Sequence, residues 1–236
     1  MTFSIAARDA MTGAFGLAVT TSSLCVGARC AHARAGVGAV LTQHRTDPRL
    51  GPLGLDLLSR GLSAADTLAA LTTGRDDARW RQLAVVDNQG RTAAFHGSEI
   101  YSWHGHAAAD GAIALGNILR SETLPDAMLG AFRAAHAAPL EQRLVAALKA
   151  GVAAGSELMP LRSAALLMVT EDDFPWMDLR VDRSDDPIGD LATLIREYAP
   201  VAPEFRRRVV EPDTVPNDAR LLALHAELTA SKKAPE

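Results

Sequence analysis

Cysteine and aromatic side chains are scarce in this chain. Cys25 and Cys30 are the only thiols among 236 residues, and they lack the paired spacing of a zinc site. A chain of this length buries enough surface to fold without disulfides or a structural metal. Aromatic residues make up 5% of it, so its core must be built from Ala, Leu and Val, which pack through small side chains and close backbone approach. Basic charge is not in excess either. Lys and Arg number 24 against 28 Asp and Glu, a formal charge of −4, which argues against electrostatic capture of nucleic acid. The one basic run, Arg206-Arg207-Arg208, is flanked by Glu204 and Glu211 and reads as a solvated segment. No apolar run approaches the roughly 20 residues of a membrane span, and no basic leader region precedes the first strand. The expectation is a cytoplasmic protein with reduced thiols. The glycines Gly13, Gly16, Gly36 and Gly38 have no Lys-Ser/Thr after them and form no phosphate loop. No cofactor and no metal is expected.

What is present is a regular alternation of hairpins and helix pairs. Strands are expected over 3–8 and 15–21, joined by the turn Asp9-Ala10-Met11-Thr12-Gly13, and a Val- and Gly-rich run follows at 36–43. Pro52 in a first turn, with Leu53, Leu57 and Leu58, marks one helix. Ser63 with Asp66 three residues on has the form of a capping box and marks the next. A second hairpin is expected from 82–87 and 91–96, a short strand at 112–115, and two helices over 125–137 and 139–154 with Gly155 as a stop. Strands at 163–170 and 176–181 and a helix opened by Asp186-Pro187 complete the series. Pro200 and Pro203 break that helix. A terminal helix is expected over 217–230, with fraying from Ser231 to Glu236. The domain is drawn at 1–199, with 200–236 as a C-terminal extension. Hairpins favour largely antiparallel sheets and paired helices favour outer layers. An α+β fold follows, as a four-layer α/β/β/α sandwich or a two-layer domain.

Thr2 carries the sharpest chemical signal. Removal of Met1, usual before a small residue, would make Thr2 the first residue, with a hydroxyl nucleophile and an α-amine that titrates near pH 7.7–8.0. A Thr hydroxyl paired with its own N-terminal amine is an activated nucleophile.

The stretch Thr2-Phe3-Ser4-Ile5-Ala6-Ala7-Arg8-Asp9 with Gly16-Leu17-Ala18-Val19 resembles the opening of a bacterial and archaeal domain family of unknown function, number 1028, grouped with the N-terminal-nucleophile (Ntn) hydrolases. The likeness continues through 33–40, Thr42-Gln43, Asp47-Pro48, 51–55, Gly116-Asn117-Ile118-Leu119, Ser163-Ala164-Ala165-Leu166, 178–182 and Asp186-Pro187-Ile188. The resemblance covers roughly 2–198. It implies the sandwich of the Ntn type and an amidohydrolase acting on C–N bonds other than peptide bonds. The opening also loosely resembles proteasome-type subunits, in which an acidic residue ends the second strand and a lysine lies on the third. Here Thr20 and Thr21 stand near the first place, and no lysine precedes Lys149. Arg34 is the nearest cation, and arginine does not shuttle protons. These departures argue against protease activity and for a small-molecule amide or cyclic amide as substrate.

Asn117, beside Gly116, is either a structural amide or an oxyanion donor, and both readings stay open. Gln43 and Ser163 are polar residues in apolar runs, structural or substrate-binding, with the structural role favoured for Ser163. Arg34, Gln43 and Ser163 are the candidate substrate-binding residues beside catalytic Thr2 and Asn117. Cys25 with His32 or His44 is a thiol alternative, although Cys is a residue type most often buried and inert. His104 and His106 are assigned to a loop and not to a metal site. Asp178, Arg180 and Asp182 read as an ion-pair ladder. A non-catalytic metabolite-binding or assembly protein on the same fold is the alternative of another class. A homo-oligomer is expected from sheet edges and Ala-rich outer helices.

Overall fold

The computed structural model describes residues 1–231. The part of the expected C-terminal fraying beyond Ser231 lies outside the described residues. Contacts divide the chain into a unit from Met1 to Arg196 and a second from Glu197 onward.

In the first unit, β1 (Thr2–Arg8) and β2 (Phe15–Thr21) form the opening hairpin. Asp9 closes its turn by accepting from the Met11 and Thr12 amides, with Gly13 at a positive φ of 76°. β3 (Ala31–Arg34) pairs with β4 (Gly38–Gln43), and β5 (Gln82–Asp87) with β6 (Thr92–His96). β7 (Trp103–Ala109) pairs with β8 (Ala112–Leu119), and β9 (Ser163–Val169) with β10 (Met177–Val181). Strand order is β10-β9-β2-β1-β8-β7 in one sheet and β3-β4-β5-β6 in the other. The pairs are antiparallel throughout.

The helices α1 (Leu50–Ser59) and α2 (Ala64–Thr72) cover the four-stranded sheet. Leu50, Leu55, Leu58, Leu68 and Leu71 meet Val40, Leu83 and Val85 there. Ser63 caps α2 as its spacing predicts, accepting from the Asp66 amide at 3.1 Å. The helices α3 (Leu124–Ala134) and α4 (Leu140–Ala153) lie against the six-stranded sheet. The shortage of aromatics is used here. A Cβ at Gly151 of α4 would come within 2.8 Å of the Phe3 ring, and one at Gly16 within 2.6 Å of Leu144, so glycine sets how closely helix and sheet approach. α5 (Pro187–Tyr198) follows β10, and Asp186 accepts from the Gly189 amide at its start.

The two sheets face each other. Because side chains alternate along a strand, Ala6 of β1, Leu17 of β2, Leu41 of β4, Ala84 and Val86 of β5, and Ile113 and Leu115 of β8 meet in one buried cluster between them.

In the second unit, α6 (Ala202–Val210) and α7 (Ala219–Ser231) are the helices. α6 corrects the sequence reading, which placed no helix there. Pro203 lies in its first turn, where the missing N–H is no loss, and the three arginines ride on it. Two strands were also unforeseen. β3 is four residues long. β7 carries His104 and His106, which the sequence placed in a loop; its exposed edge position and Gly105 hide the alternation. Among the described residues no helix is long and apolar enough to cross a membrane.

Candidate active site

At one end of the space between the sheets the side chains become polar. Thr2 and Ser4 continue the inward face of β1 beyond Ala6, Gln43 continues β4 beyond Leu41, Gln82 precedes Ala84 on β5, and Asn117 follows Leu115 on β8. Ser4, Gln43, Gln82 and Asn117 are fully buried, and buried polar groups need partners. They find them in each other. Ser4 Oγ donates to Gln43 Oε1 at 2.9 Å, and Gln43 Nε2 donates to Gln82 Oε1 at 2.6 Å. Asn117 Nδ2 donates to the same Gln82 oxygen at 2.9 Å. Gln82 Nε2 donates to the Gly116 carbonyl at 2.7 Å and to His96 Nδ1 at 2.9 Å. Gln82 thus uses its whole amide, which fixes the direction of the chain. His96, accepting at Nδ1, carries its proton on Nε2 and passes it toward His106 Nδ1, 2.9 Å away.

Thr2 stands at the open end of this layer. It is register partner to Asn117 across β1 and β8, one position beyond the Phe3–Thr20 pair across β1 and β2. Its Oγ donates to the Met1 carbonyl and lies 3.3 Å from Thr21 Oγ1, which bonds the same carbonyl. Thr2 lines a cleft of about 480 Å³ together with Met1, Ser23, Arg29, His44, Arg45 and Thr46. His44 and Arg45, which turn the chain out of β4, both hold left-handed backbone angles (φ 54° and 44°). A conformation of that kind costs a non-glycine residue about 1 kcal/mol or more. A larger cavity of about 510 Å³ lies between α4 and the start of α5, lined by Lys149, Val152 and Asp185 among others. It contains none of the residues gathered around Thr2, so the smaller cleft is the one with chemistry at hand.

Glu157 completes the site. α4 ends at Ala153, Gly155 (φ 123°) and Ser156 (φ 62°) turn the chain after it, and Leu119 and Glu157 form a bridge that ties this segment to the end of β8. Glu157 is 1% exposed, and among the described residues neither carboxylate oxygen has a partner in good hydrogen-bond geometry. Burial pushes its pKa up to about 8, restrained by the attraction of the N-terminal amine and by Ser22 nearby. The same burial lowers the amine's own pKa, which Glu157 opposes. Asn117 Oδ1 is likewise buried without a partner among the described residues. Burial also lowers the pKa of His44, whose Nδ1 lies 2.7 Å from the Trp80 carbonyl.

Of the residues singled out in the sequence, Thr2, Asn117 and Gln43 come together here. Ser163 does not reach the cleft; its Oγ donates to the Ser23 carbonyl at 2.7 Å and accepts from the Val26 amide at 3.1 Å, which holds the turn carrying Ser23. Arg34 lies at the far end of β3, paired with Gly38 across the sheet and with Asp56 at 2.8 Å. Cys25 is exposed, and no hydrogen bond joins it to His32 or His44 among the described residues. Cys30 is buried, and burial raises its pKa. His96, His104 and His106 gather beside one another, but no group of three or more metal-ligating side chains suits an ion among the described residues. Asp178 and Arg180 do pair, at 2.8 and 2.7 Å, on an exposed face. Sequence reasoning missed Gln82, His96, Arg45 and Glu157. Gln82 was legible as a polar residue on the inward phase of QLAVVD. Nothing local marks Glu157, whose place depends on the bridge to β8.

The model of a family of unknown function, DUF1028, matches residues 2–191. A solved structure, protein SPO2555 from Silicibacter pomeroyi, assigned to the same family, is 36% identical, with a TM-score of 0.78 over 84% of this chain and 89% of that one. Anbu (ancestral beta-subunit) from Yersinia bercovieri is 12% identical over 87% of this chain and 97% of its own, with a TM-score of 0.38, too slight a likeness to bear on the site. No match is found among curated proteins.

Proposed function

The chain belongs to the DUF1028 family of unknown function, and from that membership we propose an Ntn-type amidohydrolase, built as a four-layer α/β/β/α sandwich, that cleaves a small-molecule amide or cyclic amide through Thr2. The observation that carries this reading is the placement of Thr2: the first side chain of β1 sits where a buried polar layer opens into a cleft.

In this reading Met1 is removed and the α-amine of Thr2 takes its place beside Glu157. Thr2 Oγ attacks the substrate carbonyl while the amine accepts the hydroxyl proton. The tetrahedral intermediate collapses as the amine returns that proton to the leaving nitrogen, leaving an ester on Thr2. Water, deprotonated by the same amine, attacks the ester, and the amine returns that proton to the departing Thr2 Oγ as the acid is freed. N–H and O–H donors of the cleft wall stabilise the oxyanion. For Asn117, which its sequence leaves open as a structural amide or an oxyanion donor, this reading adds the part of an acceptor. One of its two Nδ2 hydrogens is given to Gln82 and its oxygen is without a partner among the described residues, so the oxygen accepts from the α-amine while the second N–H stays available as a donor. Glu157, a buried carboxyl with Ser22 and the N-terminal amine as its neighbours, supplies the carboxyl that the end of β2, with Thr20 and Thr21, lacks.

The test is the intact mass of protein expressed with its native start, before and after a hydroxyl-reactive β-lactone, with peptide mapping. Loss of Met1 and an adduct on Thr2 that disappears in Thr2→Ala support the reading, and turnover of a cleaved amide should fall about a thousandfold or more in that variant. Retained Met1 with no adduct moves the assignment to a binding protein on the same fold.

A further inference from the structure

Two arginines line the cleft and four more, Arg49, Arg75, Arg79 and Arg81, follow in the segments after it in sequence, and the six are not treated alike. Arg49 pairs with Asp47 at 2.8 Å, Arg75 reaches Asp47 and Asp77, and Arg81 pairs with Asp77 at 2.8 Å. Arg79 donates to the Asp76 carbonyl. The two that line the cleft, Arg29 and Arg45, have no carboxylate partner among the described residues.

Both are nevertheless held in place. Arg29 Nη1 donates to the Leu24 and Cys25 carbonyls at 2.6 and 2.7 Å, and Nη2 to Ser23 Oγ. Two of its five N–H donors remain uncommitted. The Arg45 guanidinium lies 3.6 Å from the centre of the Trp80 ring, stacked on its face. Stacking of that kind fixes the plane of the group and leaves its edge donors free for an oxyanion. The base of Arg45 is pinned as well, since its carbonyl accepts from Arg81 and the adjacent His44 bonds the Trp80 carbonyl. Among the described residues no acidic side chain lines the cleft. An exposed arginine serving only solubility has no need of a left-handed backbone, an aromatic platform and an anchored carbonyl.

We propose that this cleft takes a small amide bearing a carboxylate group, which Arg45 and Arg29 grip while the scissile carbonyl lies at Thr2. The amide half rests on the function proposed above; the carboxylate half does not, because it follows from the cleft wall alone. Guanidinium N–H donors in a fixed plane match the two oxygens of a carboxylate, and a cleft of about 480 Å³ suits a ligand of metabolite size.

The experiment is calorimetric titration of the full chain with glutarate, glutaramide and inorganic phosphate. Glutarate has no scissile bond, so its binding is independent of whether Thr2 reacts. Glutarate is expected to bind, and both replacing it with neutral glutaramide and the Arg45→Gln substitution should weaken binding about tenfold or more. Arg49→Gln, which removes an exposed arginine already paired with Asp47 and outside the cleft lining, should leave glutarate affinity unchanged. Absence of glutarate binding, equal affinity for glutaramide, or an Arg45→Gln protein that binds as the wild type does would each overturn the proposal. Phosphate binding more tightly than glutarate would overturn it too, in favour of a phosphorylated ligand. A failed β-lactone adduct with intact glutarate binding would remove the nucleophile and leave the carboxylate site standing.

Discussion

The space between the two sheets has two halves built on the same strands with the same alternation. Toward one end Ala6, Leu17, Leu41, Ala84 and Leu115 fill it with apolar side chains; one or two steps along the same faces, Ser4, Gln43, Gln82 and Asn117 fill it with amides and a hydroxyl. The backbone does not distinguish them. The apolar half is held by the burial of its surface and tolerates loss of a methyl group at a graded cost. The polar half is directional, each amide fixed by the next, and a member removed leaves its neighbours unpaired in a dry setting. Stability and chemistry are thus divided along single strands.

The largest test of this division is Leu41→Ala. Leu41 is fully buried in the apolar half, and its truncation should lower unfolding free energy by about 2–5 kcal/mol in chemical denaturation. The β-lactone adduct on the remaining folded protein should be unchanged. Loss of the adduct in step with stability would mean that the halves are not separable.

Glu157→Gln should act in the opposite direction. The carboxyl's folded pKa of about 8 lies above its ordinary 4.5, so the folded state keeps the proton longer than the unfolded one. The stability it contributes is full below about pH 4.5 and declines as pH rises toward 8. The amide cannot ionise, so the variant should be more stable than the wild type at pH 8.5, on the order of 2 kcal/mol, with little difference at pH 4.5. Melting curves at the two pH values decide it, and an equal pH dependence in both proteins would place the Glu157 carboxyl in contact with water.

The smallest effect belongs to His96. Burial, with His106 and His104 adding to it, brings its pKa down to about 4 from 6.5. Its contribution is present above pH 6.5 and lost as pH falls toward 4, because a protonated Nδ1 would face the Gln82 amide nitrogen donor to donor. His96→Asn should flatten the loss of stability across that window by about 1 kcal/mol, discounted for partial exposure. An acid limb as steep as that of the wild type would mean that His96 is not what limits it.

The helices and most strands were legible because period and punctuation agree: β2 and β5 have the bounds that their alternation gives, and Ser63 caps the helix that its spacing announces. The expected strand at 112–115 is in fact β8, ending at Leu119. Gly116 and Asn117, poor strand formers alone, are held there by β1 and β7 on either side. The site was legible in part for the same reason. Thr2, Gln43 and Asn117 are polar interruptions of apolar runs and can be found along one strand at a time. Glu157 and the pairing of Gln82 with His96 depend on which strands become neighbours, which no local pattern encodes. Arg34 shows the converse, a cation close in sequence to the cleft-lining residues and far from them in the fold.

Gly151 has a consequence beyond packing. Phe3, the residue beside Thr2, presses its ring against the bare backbone of α4, and no side chain larger than hydrogen fits between them without displacement. The position of Thr2 at the cleft is therefore gauged from behind, as a workpiece is set by the stop it rests on, and the tolerance of that stop, on the opposite face of the sheet, is less than a single methyl group.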